Sequence, residues 1–200
     1  FRSVILDIAA FIAAFGLAYL VGFKDDEATI TLSKAEAKKV ATGQKSSVNK
    51  LKLFSPLVGN VLPLSEAKDP VFSEGAMGNG VVIEPTSGEV FAPEDGVVSS
   101  LFPTHHAIGI LTDSGVEVLI HIGMDTVELA GNHYESFVIQ GQTVKKGEKL
   151  LRFDMQAIEA AGYCVQTPVI ITNTSNYGSI VATEKQNVSP QDILLVLMGM

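Results

Sequence analysis

The chain has 200 residues, 46% of them hydrophobic and only 18% charged, and its mean hydropathy is +0.30. This composition excludes a disordered chain, and the length fits one domain with an added segment, or two small domains. The single cysteine excludes an internal disulfide framework. Residues 1–50 carry seven bases and five acids, whereas residues 51–200 carry seven bases and 17 acids. So acidic a main body excludes a nucleic-acid-binding protein, which needs a basic surface.

Residues 4–23 form an apolar run that only Asp7, Gly16 and Gly22 interrupt. Twenty residues of α-helix span about 30 Å, the thickness of the hydrocarbon core of a bilayer. Because apolar residues lie on all sides, the run predicts a transmembrane helix instead of an amphipathic one. The lysines that follow it place its C-terminal side in the cytoplasm. A signal peptide and a buried helix of a soluble domain are the alternatives, and the length of the run disfavours both.

Residues 24–50 contain no aromatic residue and show little apolar periodicity. This pattern is typical of a solvated segment, so we predict a flexible cytoplasmic linker with one short helix around residues 33–40.

Residues 51–200 have the pattern of a mainly β domain. Short β-branched runs alternate with turn residues, which indicates an antiparallel sandwich or barrel. The predicted strands cover residues 80–83, 96–101, 107–112, 116–122, 136–139, 149–153, 168–172 and 192–198. One helix is predicted at residues 154–161, with Asp154 as its N-cap and Gly162 beyond its end.

Two segments look like related halves of one design. Residues 91–101 and 142–151 each place turn residues directly before a strand. The pair resembles the two halves of biotinyl and lipoyl carrier domains, and predicts a duplicated hybrid motif of the barrel-sandwich type. A carrier needs a lysine at a hairpin tip between the halves, but no lysine lies between Lys68 and Lys145. The sequence therefore excludes a swinging-arm carrier.

The histidines give the clearest chemical signal. Period-two alternation places His121 on the face opposite a set of apolar residues, Val116, Val118, Ile120 and Ile122. A hairpin with its turn at residues 113–115 brings His106 to the same end as His121. Neutral imidazole is a good nucleophile near pH 7, and a second imidazole can stabilise a phosphoryl group in transfer. On the residues alone, phosphorylation and two structural histidines both stay open.

Residues 115–127 resemble the phosphohistidine signature of the enzyme IIA component of the glucose and β-glucoside type of sugar phosphotransferase system. The similarity extends over nearly all of residues 51–200, at residues 54–59, 78–80, 83–85, 92–96, 104–107 and 167–169. The apolar run that ends at residues 22–25 resembles the last helix of a sugar-translocating IIC domain. The resemblance implies the end of IIC at residues 1–23, a linker at residues 24–50 and a IIA domain at residues 51–200.

The resemblance implies a role for three residues of the site. His121 corresponds to the phosphorylated nucleophile, and His106 to the second histidine, which hydrogen-bonds the phosphoryl group without carrying it. Thr104 corresponds to the hydroxyl that orients the second histidine.

Further residues are expected at the rim of the site. Asp125 corresponds to an acid that positions partner contacts, and Gly123 exposes backbone beside His121. Asn79 stands where glucose-specific members of the family often have Asp. A shallow apolar surface that docks partner proteins is expected to include Val81, Phe102 and Met124.

The implied function is a phosphoryl relay without a cofactor or metal. Phosphate would arrive from the histidine phosphocarrier protein HPr and pass from His121 to a cysteine of a IIB domain, for uptake of a β-glucoside; sucrose and trehalose stay open. The chain would then be the C-terminal part of a permease in the bacterial inner membrane, with residues 24–200 in the cytoplasm. A regulatory module that reports its phosphorylation state is an alternative. A zinc hydrolase of the lysostaphin type is disfavoured, because it needs a His-x-His pair where this chain has Gly123.

The remaining histidines and the cysteine are predicted to have no chemical role. His105 is expected to be solvated, and His133 to lie in an exposed loop. Cys164 is expected to be a small buried core residue.

Overall fold

The computed structural model describes residues 50–200. The predicted transmembrane helix and almost all of the predicted linker, with its short helix, lie outside the described residues. Within residues 50–200, no helix is long and apolar enough to cross a membrane.

The described chain is mainly β, as the sequence predicts, with short helices in the connections. Fourteen strands run from β1 to β14: Lys50–Phe54, Gly59–Pro63, Asn79–Pro85, Glu89–Phe91, Gly96–Leu101, Ala107–Thr112, Glu117–His121, Tyr134–Ser136, Thr143–Val144, Lys149–Phe153, Thr167–Ile171, Tyr177–Ala182, Asn187–Val188 and Ile193–Gly199. Two α-helices, α1 and α2, cover Pro70–Ser73 and Met155–Ala160, and 3-10 turns cover Leu64–Glu66, Thr126–Leu129 and Thr174–Asn176.

The strands form three antiparallel sheets. The largest has eight strands in the order β13-β2-β3-β11-β7-β6-β5-β9, and two three-stranded sheets have the orders β1-β14-β12 and β4-β10-β8. The main core lies between the sheets and includes Val118, Ile120 and Ile122, as the alternation predicts. The fold therefore has one core-facing side of the large sheet and one outer side.

The outer side of the large sheet carries a second, smaller apolar cluster. Its buried members are Ala67, Phe72, Val82, Ala107, Leu119, Met124 and Ile170. Strand alternation explains the division: along β7, Leu119 and His121 point away from the main core, whereas their neighbours point into it. The connection between β2 and β3 folds over this outer side and brings Phe72 to it.

Most of the predicted elements coincide with observed ones within a residue or two. The predicted helix at residues 154–161 is α2, where the Asp154 carboxylate accepts from the Ala157 N–H at 3.0 Å. The strand predicted at residues 136–139 is misplaced, because the strand is Tyr134–Ser136. Phe137 and Ile139, which suggested it, are 45% and 71% exposed and lie past its end.

The two related segments meet in space. The turn before β5 contains Asp95, whose carboxylate accepts from the Lys145 ammonium and from the Lys146 N–H, both at 2.8 Å. Those lysines belong to the corresponding turn before β10, and β5 pairs with β9 directly beside it. The two related segments therefore lie side by side.

Candidate functional site

His121 stands at the end of β7, where the chain turns sharply. Its Nδ1 donates to the carbonyl oxygen of Gly123 at 2.9 Å. Gly123 is held in turn, because its N–H donates to the carbonyl oxygen of Gln166 at 3.1 Å. In neutral imidazole only one ring nitrogen carries a proton, so a proton on Nδ1 leaves the lone pair on Nε2. The local fold therefore presents His121 with a nucleophilic Nε2.

His106 lies at the end of the hairpin connection between β5 and β6. The turn is closed by the His105 N–H, which donates to the carbonyl oxygen of Phe102 at 2.8 Å. The His106 carbonyl oxygen accepts from the Ile122 N–H at 2.7 Å, which extends the β6–β7 pairing past the last strand residues. Its ring Nδ1 lies 2.5 Å from the Thr104 hydroxyl. His106 is 1% exposed, so its ring is fixed in orientation.

The two imidazoles meet edge to face. Their ring centroids are 5.0 Å apart and their planes make an angle of 77°. Aromatic rings flank the pair on both sides: Phe72 packs on His121 with a centroid distance of 5.0 Å, and Phe102 packs on His106 at 5.2 Å. The structure thus brings together His106, His121 and Thr104.

Two neighbours of His121 were not found by sequence reasoning. Phe72 belongs to α1, which is capped by Asp69: its carboxylate accepts from the Val71 N–H at 2.7 Å. Burial lowers the pKa of the His121 imidazole, and the Asp69 charge opposes only a part of this decrease. The available signal was Asp69 directly before Pro70, an N-cap followed by proline at the first helical position.

Both histidines are neutral at pH 7. Burial lowers the pKa of His121 to about 4, against smaller raising effects of the Gly123 hydrogen bond and the Asp69 charge. Burial lowers the pKa of His106 to about 3, and the neighbouring His121 adds to this decrease. Two uncharged imidazoles in one site supply one lone pair for attack and one N–H for hydrogen bonding.

These depressed pKa values predict a loss of stability in mild acid. The ordinary pKa of histidine is about 6.5 in the unfolded chain, so the unfolded state takes up protons first as the pH falls from 7 to 5. Each of the two histidines then lowers the free energy of unfolding by up to about 2 kcal/mol. Urea titrations at pH 7, 6 and 5 measure this decrease.

The variant His106→Gln should lose about half of the pH-dependent decrease. A matched control is His133→Asn, because His133 is exposed and Asn tolerates its left-handed backbone at φ +74°. A wild-type chain whose unfolding free energy stayed constant between pH 7 and 5 would contradict the burial of neutral imidazoles.

Gly123 is predicted to be intolerant of any side chain. Its φ is +80°, and an added Cβ would lie 2.5 Å from Thr126 Cγ2 and 2.8 Å from the carbonyl oxygen of Cys164. We expect Gly123→Ala to lower the unfolding free energy by about 2–4 kcal/mol and to displace the carbonyl oxygen that accepts from His121 Nδ1.

The control Gly147→Ala separates backbone strain from collision. Gly147 has a similar φ of +77°, but no atom lies within 4 Å of the added Cβ. Gly147→Ala should lower the unfolding free energy by only about 1 kcal/mol and leave the hydrogen bond of His121 Nδ1 unchanged. Equal effects of the two substitutions in urea unfolding would show that the space around Gly123 does not matter.

The expected docking surface needs two corrections, because Val81 and Met124 are both buried. Val81 is 1% exposed and lies in the main core, because alternation along β3 points it inward with Ile83. Its neighbour Val82 faces the histidine side and is also fully buried. Met124 is 8% exposed and is a buried member of the outer apolar cluster, so of the three only Phe102, half-buried beside His106, can contribute to a docking surface.

The polar rim residues lie at different places. Asp125 is exposed and begins the 3-10 turn after Gly123, with φ +58°. Asn79 is exposed in β3, where it pairs with Ile171 of β11, which in turn pairs with Val118 of β7. Val118 precedes His121 by three residues. Its amide oxygen accepts from the Gly80 N–H at 2.8 Å. The register therefore does not bring Asn79 beside His121.

The other histidines and the cysteine lie around this centre. His133 is exposed in a loop, as predicted, whereas His105 is half-buried instead of solvated. Cys164 is also half-buried, not a core residue, because it packs at the border of the outer apolar cluster. Within residues 50–200, no group of three or more His, Cys, Asp or Glu side chains could hold a metal ion.

An antiparallel β protein with paired neutral imidazoles, one of them with a free Nε2, defines a centre suited to carrying a transferable group. The sequence model of the phosphoenolpyruvate-dependent sugar phosphotransferase system, EIIA 1, matches residues 51–177. The chain belongs to this family, and it therefore contains an EIIA domain, a phosphotransferase component that works through a phosphohistidine intermediate.

Relatives and a solved structure agree with this family. A β-glucoside-specific EIIBCA component of Halalkalibacterium halodurans is 48% identical over 176 residues, which cover 88% of this chain and 26% of the relative. A glucose-specific EIIA component of Bacillus cereus is 44% identical over 70% of this chain and 86% of its own length. The glucose permease IIA from Mycoplasma capricolum has a TM-score of 0.68 and 38% identity, covering 74% of this chain and 96% of that one. The chain spans about a quarter of the length of the EIIBCA relative.

Proposed function

We propose that His121 accepts a phosphoryl group from the phosphohistidine of HPr and passes it to a cysteine of a IIB domain in the same permease. The observation that carries this proposal is the hydrogen bond from His121 Nδ1 to the Gly123 carbonyl oxygen, at 2.9 Å. It directs the lone pair of the neutral ring to Nε2, which attacks phosphorus while the bond from phosphorus to the donor nitrogen breaks.

His106 is proposed as the stabiliser of the transferring group. If the Thr104 hydroxyl donates to Nδ1 of His106, the ring proton lies on Nε2 and is available to a phosphoryl oxygen. A buried, fixed N–H is effective here, because charge spreads over the equatorial oxygens during transfer. Thr104 thereby selects the tautomer of His106, as Gly123 does for His121.

The surroundings of His121 support transfer between proteins. The outer apolar cluster offers half-buried Phe102 beside His106, and half-buried Met77 packs against the same cluster. Asp69 and Asp125 place negative charge near them, which favours a donor with a basic contact surface. This arrangement supports docking of HPr and a IIB domain in succession.

The wider assignment follows from the relatives. We infer a β-glucoside permease in the bacterial cell membrane, with residues 4–23 as the last membrane helix, residues 24–50 as the linker and residues 51–200 as the cytoplasmic IIA domain of barrel-sandwich type. The support is the name of the EIIBCA relatives and the apolar run of the sequence.

The test is phosphoryl transfer by the whole chain in detergent. With phosphoenolpyruvate, enzyme I and HPr, the chain should gain one acid-labile phosphoryl group, measured by intact mass. On addition of the IIB domain of a β-glucoside permease, the group should leave. A chain that gained no phosphoryl group while a glucose-specific EIIA did so in the same mixture would contradict the proposal.

A further inference from the structure

Gln166 is a buried glutamine directly before β11. Its amide side chain and its main-chain groups all form hydrogen bonds. It is 4% exposed. Its side-chain Oε1 accepts from the Lys68 N–H at 3.1 Å, and its Nε2 donates to the Glu84 carboxylate at 3.4 Å. Its carbonyl oxygen accepts from the Gly123 N–H at 3.1 Å. A peptide N–H needs an acceptor and a carboxylate needs a donor, so this environment matches an amide.

The two segments that Gln166 holds are the two that shape the surroundings of His121. Gly123 provides the acceptor for His121 Nδ1. Lys68 directly precedes Asp69, the cap of α1, which delivers the Phe72 ring to His121. These segments lie 55 residues apart in the sequence, and Gln166 bridges them.

We propose that Gln166 is a positioning residue for phosphoryl transfer. It fixes the carbonyl oxygen of Gly123 relative to the segment Asp69–Phe72, which packs on His121. The proposal rests on His121 being the phosphoryl acceptor. Gln166 does not touch the reacting atoms: it acts through Gly123 and through the segment that begins at Lys68. A displacement of about 1 Å in such a frame can slow a reaction by as much as about 100-fold.

The first variant is Gln166→Leu, which keeps the approximate size of the side chain and leaves the Lys68 N–H without its acceptor. We expect phosphoryl acceptance from HPr to slow by about 10-fold or more. The main-chain carbonyl of Gln166 holds Gly123, and loss of the side-chain contacts of Gln166 should displace this carbonyl. We therefore also expect the ring nitrogens of His121, followed by ¹⁵N NMR, to change from one tautomer to a mixture of both.

The control is Gln142→Leu. Gln142 Oε1 likewise accepts from a backbone N–H, that of Ile139 at 3.1 Å, in the turn before β9. The same substitution thus removes the same kind of hydrogen bond away from the histidines. It should leave both the transfer rate and the His121 tautomer at wild-type values.

Exchange of the amide and the carboxylate between Gln166 and Glu84 provides a second test, should Gln166→Leu fail to fold. Gln166→Glu alone places a second carboxylate against Glu84 and should slow transfer. Its combination with Glu84→Gln restores one donor and one carboxylate to the pair, and should recover the rate and the single tautomer.

The proposal is overturned if Gln166→Leu transfers at the wild-type rate with a single His121 tautomer, or if the charge exchange gives no recovery over Gln166→Glu. Failure of the proposed function has a different signature, since the wild-type chain itself would then accept no phosphoryl group. The tautomer measurement needs no phosphoryl donor, so it tests Gln166 in either case.

Discussion

The variant His121→Gln is expected to accept no phosphoryl group from HPr at all. Glutamine has no basic ring nitrogen, so the nucleophile is lost while a side chain of similar length remains. After incubation with phosphoenolpyruvate, enzyme I and HPr, the phosphorylated fraction of the variant should be below the detection limit of intact-mass measurement. The large effect follows because the Gly123 hydrogen bond places the lone pair of His121 on Nε2, the nucleophile of the proposed transfer.

Two controls make the loss specific. His133→Asn changes an exposed histidine in a loop and should be phosphorylated like the wild type. A thermal melt of His121→Gln should remain cooperative, which separates lost chemistry from lost folding. Phosphorylation of His121→Gln to the wild-type extent would remove His121 as the acceptor.

The variant His106→Gln should separate acceptance from onward transfer. It retains Nε2 of His121 as the proposed nucleophile but loses the fixed imidazole N–H that we propose faces the phosphoryl group. The removal of one preorganised donor from a transition state typically costs about 10²–10³ in rate. We therefore expect the chain to become phosphorylated and to pass the group to the IIB domain about 100-fold more slowly or worse, as measured by quenched-flow mass analysis.

Variants of Thr104 should slow onward transfer less than His106→Gln does. Thr104→Val removes the hydroxyl 2.5 Å from His106 Nδ1 but keeps the imidazole, so transfer should slow by a smaller factor. Thr104→Ser restores the hydroxyl and should recover most of the rate. If His106→Gln passed the phosphoryl group on normally, the role of His106 in transfer would be wrong.

Local pattern was sufficient to predict the strand environment of the two histidines. Alternation along β7 separates His121 from the core-facing Ile120 and Ile122, and the turn at residues 113–115 aligns His106 with it. Such information is contained in neighbouring residues, because strand periodicity and hairpin register are short-range properties.

The residues that the β2–β3 connection contributes to the site could not be predicted in this way. Asp69 and Phe72 precede His121 by about fifty residues, and only the folding of the β2–β3 connection over the large sheet brings them to the ring. The same limit explains the wrong choice of Val81. Val81 and Val82 are chemically identical, and their faces differ only through the pairing of β3 with its neighbours.

The positions of the predicted rim residues show a related limit. Asn79 is a polar residue close to a conspicuous motif, but the sheet register places it two strands away from β7 and level with Val118 instead of His121. The resemblance identifies the family correctly, whereas the distance of a side chain from the reacting nitrogen depends on the assembled sheet.

The central claim is that Nε2 of His121 carries the phosphoryl group while Nδ1 keeps its bond to Gly123. The most direct test is ¹⁵N and ³¹P NMR of the phosphorylated chain with labelled histidine. We predict coupling of phosphorus to Nε2 of His121, with the Nδ1 proton retained. Coupling to Nδ1, or to any nitrogen of His106, would contradict the account.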